Sequence, residues 1–385
     1  MQVHAQSRRV ASGLRTLPIR VAPVSGEALD SWLEAVAHRY AVSFVSVLLA
    51  HGFTGNHRWP GWWLSLPDED IDRVAVAAGV DTKVVRAMTI ERYPCDLRQR
   101  DDQRHRVDGV LWVRRGNSRF CPGCLRDTGG RWQVAWRLTW SFACVKHGCL
   151  LADRCLDCGS AQRRPAAHAR DIPPPGHRCR GVVFPTLACT ADLTRTDVLL
   201  LSAAHPVLDA QRAVDDLLDD RPLHLAIYRG VSPSCRRMLC DVKLLTQWIF
   251  TSVGQTEVDR HLPADIGTAV AQHRRSTGWP HGAAWRSART MPSALDTAVG
   301  VVIALKILAV MNVSAATAMF EQLMTSSSTG PYRAPISDQA GMSPAVRAIH
   351  DDAYAVIRED QKLWRRLARM AAAQSSSVTT STMVR

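Results

Sequence analysis

Apolar side chains fall three and four apart early in the chain, at Leu29, Trp32, Leu33, Val36 and Ala37. That spacing predicts a helix opening near Glu27 with one stripe turned inward. A second helix is expected over residues 43–50, ending near Gly52. Asp68-Glu69-Asp70 opens a third, because acidic side chains favour the positive end of a helix. Ala75, Gly79 and Val85 then suit a helix-turn-helix: a small residue where two helices cross, glycine at the turn, an aliphatic on the second helix. The second helix, about residues 81–90, would expose Lys83 and Arg86. A plain helical hairpin satisfies the same pattern, so DNA reading does not follow from it alone. Farther on, residues 206–218, 241–253, 293–310 and 344–373 carry the clearest helical patterns. The last of these would place Lys362, Arg365, Arg366 and Arg369 around Trp364. Residues 1–14 read as a loose basic leader, residues 325–329 as a linker and residues 375–385 as a disordered tail.

Composition changes the picture in two ways. A chain of 385 residues with 46% hydrophobic content is long and apolar enough for two or three folded domains. The longest apolar run, residues 299–313, is broken by Lys306 and too short to span a bilayer, so a buried helix is expected there. With no export signal apparent, a cytoplasmic, nucleoid-associated protein is expected, and the 11 cysteines point to thiols and metal rather than disulfides. The net charge of +13 comes almost wholly from arginine, with five lysines in the chain. Arginine's planar fork of donors suits phosphate, which makes DNA or RNA a natural partner, although arginine-rich coding in a GC-rich genome gives the same bias. Arg98, Arg100, Arg104, Arg106, Arg114, Arg115 and Arg119 cluster most strongly, and Asp101, Asp102 and Asp108 are interspersed. The stretch reads equally well as a phosphate-tracking segment and as a solvated linker.

The strongest chemical signal lies between residues 121 and 189. Cys121-Pro122-Gly123-Cys124 is followed by Cys144-Val145-Lys146-His147, then by Cys155-Leu156-Asp157-Cys158, and finally by His177, Cys179 and Cys189. Two ligands two residues apart reach one ion from a tight turn, and two such pairs close a tetrahedral shell of the structural kind. Soft thiolates with an imidazole favour Zn(2+) over calcium or magnesium, and His147 disfavours an iron–sulfur cluster. The first set is read as Cys121, Cys124, Cys144 and His147. The second is read as Cys155, Cys158, Cys179 and Cys189, with His177 in reserve, giving two zinc ions per chain. An interleaved set of Cys144, His147, Cys155 and Cys158 satisfies the same spacing. Cys95, Cys149, Cys235, Cys240 and His168 lack a partner at ligand spacing and read as structural. Trp132, Trp136 and Trp140, four apart, form either a stacking platform for bases or core for a small metal domain. Burial is the expected outcome. The fold class that results is mainly α, in three parts. An N-terminal helix-turn-helix domain covers 15–115, a tandem zinc-finger region with short β-hairpins covers 116–195, and a C-terminal helical domain covers 196–374.

These motifs together resemble the TniQ family, target-selection proteins of certain bacterial transposons, which includes TnsD. The resemblance begins at Leu17-Pro18, Pro23, Gly26-Glu27 and Ser31-Trp32-Leu33, and continues through Gly79 and Met88-Thr89. It is firmest over Cys121 to Leu125, Trp136-Arg137-Leu138, Cys144, His147-Gly148, Leu150-Leu151 and Cys155 to Gly159. It covers roughly residues 17–193 and departs from the family at Ala28, where serine is usual, and in the irregular spacing after His177. It implies a non-catalytic adaptor that binds a DNA attachment site, or an RNA-guided complex on one. Such an adaptor recruits an AAA+ ATPase and through it a transposase, and is compatible with a homodimer. Lys83, Arg86, Arg98, Arg100 and Arg104 are the nucleic-acid candidates. The chief rival is a free-standing zinc-containing helix-turn-helix regulator of transcription. A nuclease is a weaker rival, because Asp215-Asp216, Asp219-Asp220 and Asp351-Asp352 look like solvated helix faces rather than converging carboxylates. No GxxxxGK[ST] phosphate loop occurs, so ATP hydrolysis by this chain is not expected.

Overall fold

The computed structural model describes residues 16–53, 65–94, 112–114, 116–163, 171–184, 187–277, 292–325, 341–353, 355–356 and 359. Several expected features lie outside those residues: the basic leader, Arg98, Arg100, Arg104 and Arg106, Cys95, His168, residues 326–329, and the last helix beyond residue 359 with Lys362 and Trp364. The described chain is mainly helical, with two short two-stranded sheets. It divides into two units, Met1–Arg221 with Met291–Ala298, and Pro222–Thr290 with Val299–Arg385.

In the first unit, α1 (Leu29–Tyr40) and α2 (Phe44–Ala50) meet at a bend of 103°. Ser43 caps α2 by accepting from Ser46 N, taking up an N–H that has no intrahelical partner. α3 (Asp68–Ala78) ends at Gly79, whose φ of 65° is the left-handed cap that glycine adopts without strain. Asp81 then caps α4 (Thr82–Ala87) through Lys83 N. The second helix of the pair is shorter than its pattern suggests, because Thr89 accepts from Glu91 N and starts a separate 3-10 turn at Ile90–Arg92. Leu29, Trp32, Leu33, Val36, Val47, Ile71, Val74 and Val85 share one apolar core.

Buried polar groups join these helices to the segment that follows. Glu27 is fully buried, and both of its oxygens accept from Arg131 Nη1 at 2.9 Å, while Val24 N and Ser31 Oγ complete its shell. Trp132 N donates to Ser31 Oγ, and Ala28 N donates to Trp132 O. Gly26-Glu27 and Ser31 are therefore the stitch between α1 and the cysteine-rich segment. A second knot lies one turn on. Arg137 and Arg163 both pair with Asp30, and Glu34 pairs with Arg163 and bidentately with Arg180.

Asp30 gives this knot a pH signature. Burial opposes its ionisation, but the charges of Arg137 and Arg163 outweigh burial and hold its carboxyl down at about 2. A depressed carboxylate stabilises the fold above its unfolded pKa, near 4, and that contribution is lost as pH falls through the folded value. The stability gap between the parent chain and Asp30→Asn should thus be widest at neutral pH and shrink between about pH 4 and pH 2. Chemical unfolding of both proteins across that range measures it. A gap that stays constant down to pH 2 contradicts the assignment.

The cysteine-rich segment has little regular structure of its own. It contains α5 (Pro122–Asp127), the hairpin β1 (Ala143–Cys144) with β2 (Cys149–Leu150), and the hairpin β3 (Val182–Phe184) with β4 (Leu187–Ala188), before α6 (Pro206–Leu218) closes it. Trp132, Trp136 and Trp140 are all buried. Trp132 packs edge-on against Trp136 at 5.8 Å, and Trp140 packs edge-on against Trp112 at 5.2 Å, so the three rings serve as core. Arg119 is fully buried among backbone carbonyls, donating to Thr139 O, Ser141 O and Pro292 O.

The regular structure of the second unit is helical among the described residues. It contains α7 (Cys235–Ser252), α8 (Gln255–His261), α9 (Ala264–Thr277), α10 (Ala294–Ala309, whose first turn belongs to the first unit), α11 (Val313–Thr325) and a helix beginning at residue 344. α7 starts six residues ahead of the predicted boundary, at Cys235 rather than residue 241, because Ser234 caps it. Asp241 is buried and accepts from Tyr228 Oη at 2.7 Å and Ser343 N at 2.9 Å, which ties α7 to the start of the last helix. Among the described residues no single helix is long and apolar enough to cross a membrane.

Candidate metal centre

Two tight turns build the first cluster. Cys121 caps α5, and its Sγ accepts from Cys124 N at 3.4 Å. Pro122 stands at the first helical position, where its missing N–H leaves no bond unmade. Facing it, the β1–β2 hairpin pairs Cys144 with Cys149, and His147 lies in the turn between them beside Gly148, at φ 55°. His147 Nδ1 is 3.5, 3.3 and 3.5 Å from the sulfurs of Cys121, Cys124 and Cys144. The Cys124 and Cys144 sulfurs are 3.6 Å apart. A tetrahedral ion with bonds of about 2.3 Å to sulfur and about 2.0 Å to nitrogen sets donor separations of roughly 3.5–3.8 Å. Three of these four separations fall at that figure, and His147 Nδ1 to Cys124 Sγ, at 3.3 Å, is slightly shorter. Gly123 makes the arrangement sterically possible, since a Cβ there would stand 2.5 Å from the His147 ring.

The second cluster repeats the design with four sulfurs. Cys155 and Cys158 flank a knuckle closed by Gly159 at φ 68°, with Gly159 N donating to Cys155 O. Cys179 and Cys189 come from the two sides of the β3–β4 hairpin. The Cys158 and Cys179 sulfurs are 3.5 Å apart, and those of Cys155 and Cys189 are 3.9 Å apart. Gly181 N and Gln162 Nε2 both donate to Cys179 Sγ, the kind of bond a thiolate accepts readily. A Cβ on Gly181 would lie 2.6 Å from Cys158 Sγ, so the hairpin can approach the knuckle only with glycine there.

Within each set all four donor atoms lie within 4.8 Å of one another. These are the two sets the spacing groups first, Cys121, Cys124, Cys144 and His147, then Cys155, Cys158, Cys179 and Cys189. The interleaved set does not assemble, and His177 stays out of both clusters. All eight sulfur and nitrogen donors suit a soft divalent ion, and the seven thiols are free of disulfides. Ionisation is uneven across the thiols: the Cys124 thiol, against the opposing effect of Cys144, draws the Cys121 thiol down to about 7, while the Cys121 thiol pushes Cys124 up and burial pushes Cys179 and Cys189 up. Burial opposes ionisation of Cys158, yet bonds from the Ser160 side chain and backbone carry it to about 7 as well.

Two residues near the first cluster escape a reading by spacing. Cys149 reads as structural from the sequence, but its sulfur is 3.8 Å from that of Cys121, because the hairpin register sets it opposite Cys144. Asp127, the last residue of α5, places Oδ2 3.1 Å from His147 Nε2. Its position three residues beyond Cys124 is the only cue in the sequence.

The nucleic-acid candidates are less concentrated. Lys83 is exposed on α4. Arg86 donates to Asp68 at 2.8 Å and to Glu91 at 3.0 Å, so its charge is answered within the pair of helices and the 3-10 turn that follows them. Arg98, Arg100 and Arg104 are outside the described residues. Of the same basic run, Arg114 and Arg119 are buried against Asp153 and cannot line a phosphate track. Among the acidic pairs, Asp216 and Asp219 both pair with Arg221.

One family model, described as TniQ, matches residues 18–151. No curated protein matches the chain. The matched segment takes in the helix-turn-helix, the Glu27 knot, the Asp30–Arg137 pair and the whole first cluster, but not Arg163 and Arg180 of the second knot. It ends before Cys155, short of residue 193, where the shared motifs suggest it should stop.

Proposed function

We propose that the chain, whose residues 18–151 match the TniQ family model, is a non-catalytic adaptor in transposition target selection that holds two structural zinc ions. In this reading it binds a marked DNA site, or an RNA-guided complex already seated on one. It then recruits an AAA+ ATPase, which brings the transposase. The single observation that carries the reading is the family match lying over a complete cluster of three thiols and one imidazole. Cys121, Cys124, Cys144 and His147 would hold one zinc, and Cys155, Cys158, Cys179 and Cys189 the other. When bound, the metal supplies rigidity: ligation fixes loops that a small core holds poorly, and metal-binding free energy becomes folding free energy.

The distribution of charge supports a division of labour. Arg86 is paired with Asp68 and Glu91, and the acidic start of α3 lies beside it, which disfavours phosphate at this helix. The helix-turn-helix face is accordingly assigned to a protein or guide-complex contact. The alternative of a free-standing transcription regulator requires that same helix to read DNA bases without an ATPase.

One experiment separates the two. The purified chain is mixed with an AAA+ ATPase of the transposition-regulator class, and co-migration on gel filtration is followed with and without target DNA, with metal content measured on the same fractions. The adaptor reading expects co-migration, close to two zinc per chain, and no strand cleavage or joining with magnesium. Tight sequence-specific DNA binding with no ATPase association would replace it with the regulator.

A further inference from the structure

We infer that Asp127 is a positioning residue of the first metal site, acting through His147. The inference rests on the metal reading of that cluster. His147 offers two ring nitrogens, and Nδ1 is the one that faces the three sulfurs, at 3.3–3.5 Å. A ligating nitrogen must present its lone pair, so the proton of the neutral ring sits on Nε2. Nε2 points at Asp127 Oδ2, 3.1 Å away, and a carboxylate can only accept there. The pair thus fixes both the tautomer and the ring orientation that ligation requires, and the carboxylate raises the basicity of Nδ1. Lys146 pairs with the same Asp127 oxygen and restrains it from the solvent side.

Local structure explains why the contact forms. Cys121 caps α5, Cys124 lies on its first turn, and Asp127 ends it, so one six-residue helix carries two sulfurs and the carboxylate. Lys146 and His147 are adjacent in the opposing turn. The two turns therefore grip each other twice, once across the ligand set and once behind it. The second cluster has four thiols and no imidazole, so it has no counterpart of Asp127 and serves as an internal control.

The test is a chelator competition on the full chain loaded with zinc. A parallel cobalt titration distinguishes the two sites, since a set of three thiolates with an imidazole and a set of four thiolates give different ligand-field bands. Asp127→Ala should weaken zinc at the first site by about 10–100-fold and leave the second site unchanged. Asp127→Asn, which keeps a neutral acceptor, should fall at the lower end of that range. The same Asp127→Ala change in a His147→Cys background should have no effect, because the thiolate has no second nitrogen to orient. Equal weakening in that background, or unchanged zinc affinity in Asp127→Ala alone, overturns the inference while leaving the metal site intact. A first site that takes up neither zinc nor cobalt in the parent chain overturns both.

Discussion

Cys121→Ser or Cys144→Ser is expected to empty the first metal site and unfold the segment around it, with a loss comparable to the whole margin of an ordinary domain. The reason lies in how little else holds that segment. Between residues 112 and 200 the described regular structure is one six-residue helix, a few 3-10 turns and two hairpins with strands of two or three residues. Isolated two-stranded sheets and helices this short are marginal in water. Structural zinc contributes about 10–16 kcal/mol in small metal-folded peptides, against roughly 5–15 kcal/mol for the net stability of a typical domain. The damage should spread to α1, since Arg131 and Trp132 supply the partners of Glu27, Ser31 and Ala28. Limited proteolysis should begin within residues 121–163, near-ultraviolet circular dichroism of the buried tryptophans should collapse, and bound metal should drop by about one ion. Cys149→Ser provides the contrast: its sulfur touches Cys121 but is no member of the four-donor set, so the variant should keep both ions. A folded, fully metallated Cys121→Ser protein would remove that residue from the ligand set.

Much of the helical scaffold is legible in the residues because it is encoded locally. Ser43 and Asp81 cap the helices they precede, and Gly79 turns the chain where the pattern breaks. His205-Pro206 starts α6 at the residue the periodicity predicts. The metal sets are legible for a related reason: knuckles two residues apart are themselves local, and only their pairing is a question of fold. What the sequence hides is burial. Charge counting puts Arg114 and Arg119 in a candidate phosphate track, yet both, like Arg137 and Arg163, are buried and answered by carboxylates. Nothing in periodicity marks an arginine as internal, because its partners Asp30, Glu34 and Asp153 arrive from distant segments. Asp127 is hidden in the same way. α8 and α9 are missed for a different reason, as their short amphipathic stripes rest on small or isolated apolar residues such as Val258, Ile266 and Val270.

Arg119→Met should be the most damaging change that touches no metal donor, costing about 3–5 kcal/mol. The side chain is fully buried, and each of its nitrogens is committed. Nη1 donates to Thr139 O at 2.8 Å and Ser141 O at 2.7 Å, Nη2 to Pro292 O and Thr297 Oγ1 at 2.9 Å, and Nε to Asp153 at 3.0 Å. Methionine fills similar volume but donates nothing, so buried carbonyls lose their donor and Asp153 loses one of its two guanidinium partners. Each unsatisfied buried acceptor costs about 1–3 kcal/mol. Arg114 cannot compensate in full, because it reaches Pro292 O and Asp153 but neither Thr139 O nor Ser141 O. Lysine at position 119 keeps the charge but has a single nitrogen and lacks the planar fork, so it should recover less than half of the loss. The same bonds hold residues 292–297 against the rest of the first unit, and that segment should become the earliest protease site in the methionine variant. Urea unfolding at neutral pH with metal content held constant measures the effect. A methionine variant within about 1 kcal/mol of the parent would mean that the carbonyls find water or relax, and that the buried guanidinium is dispensable.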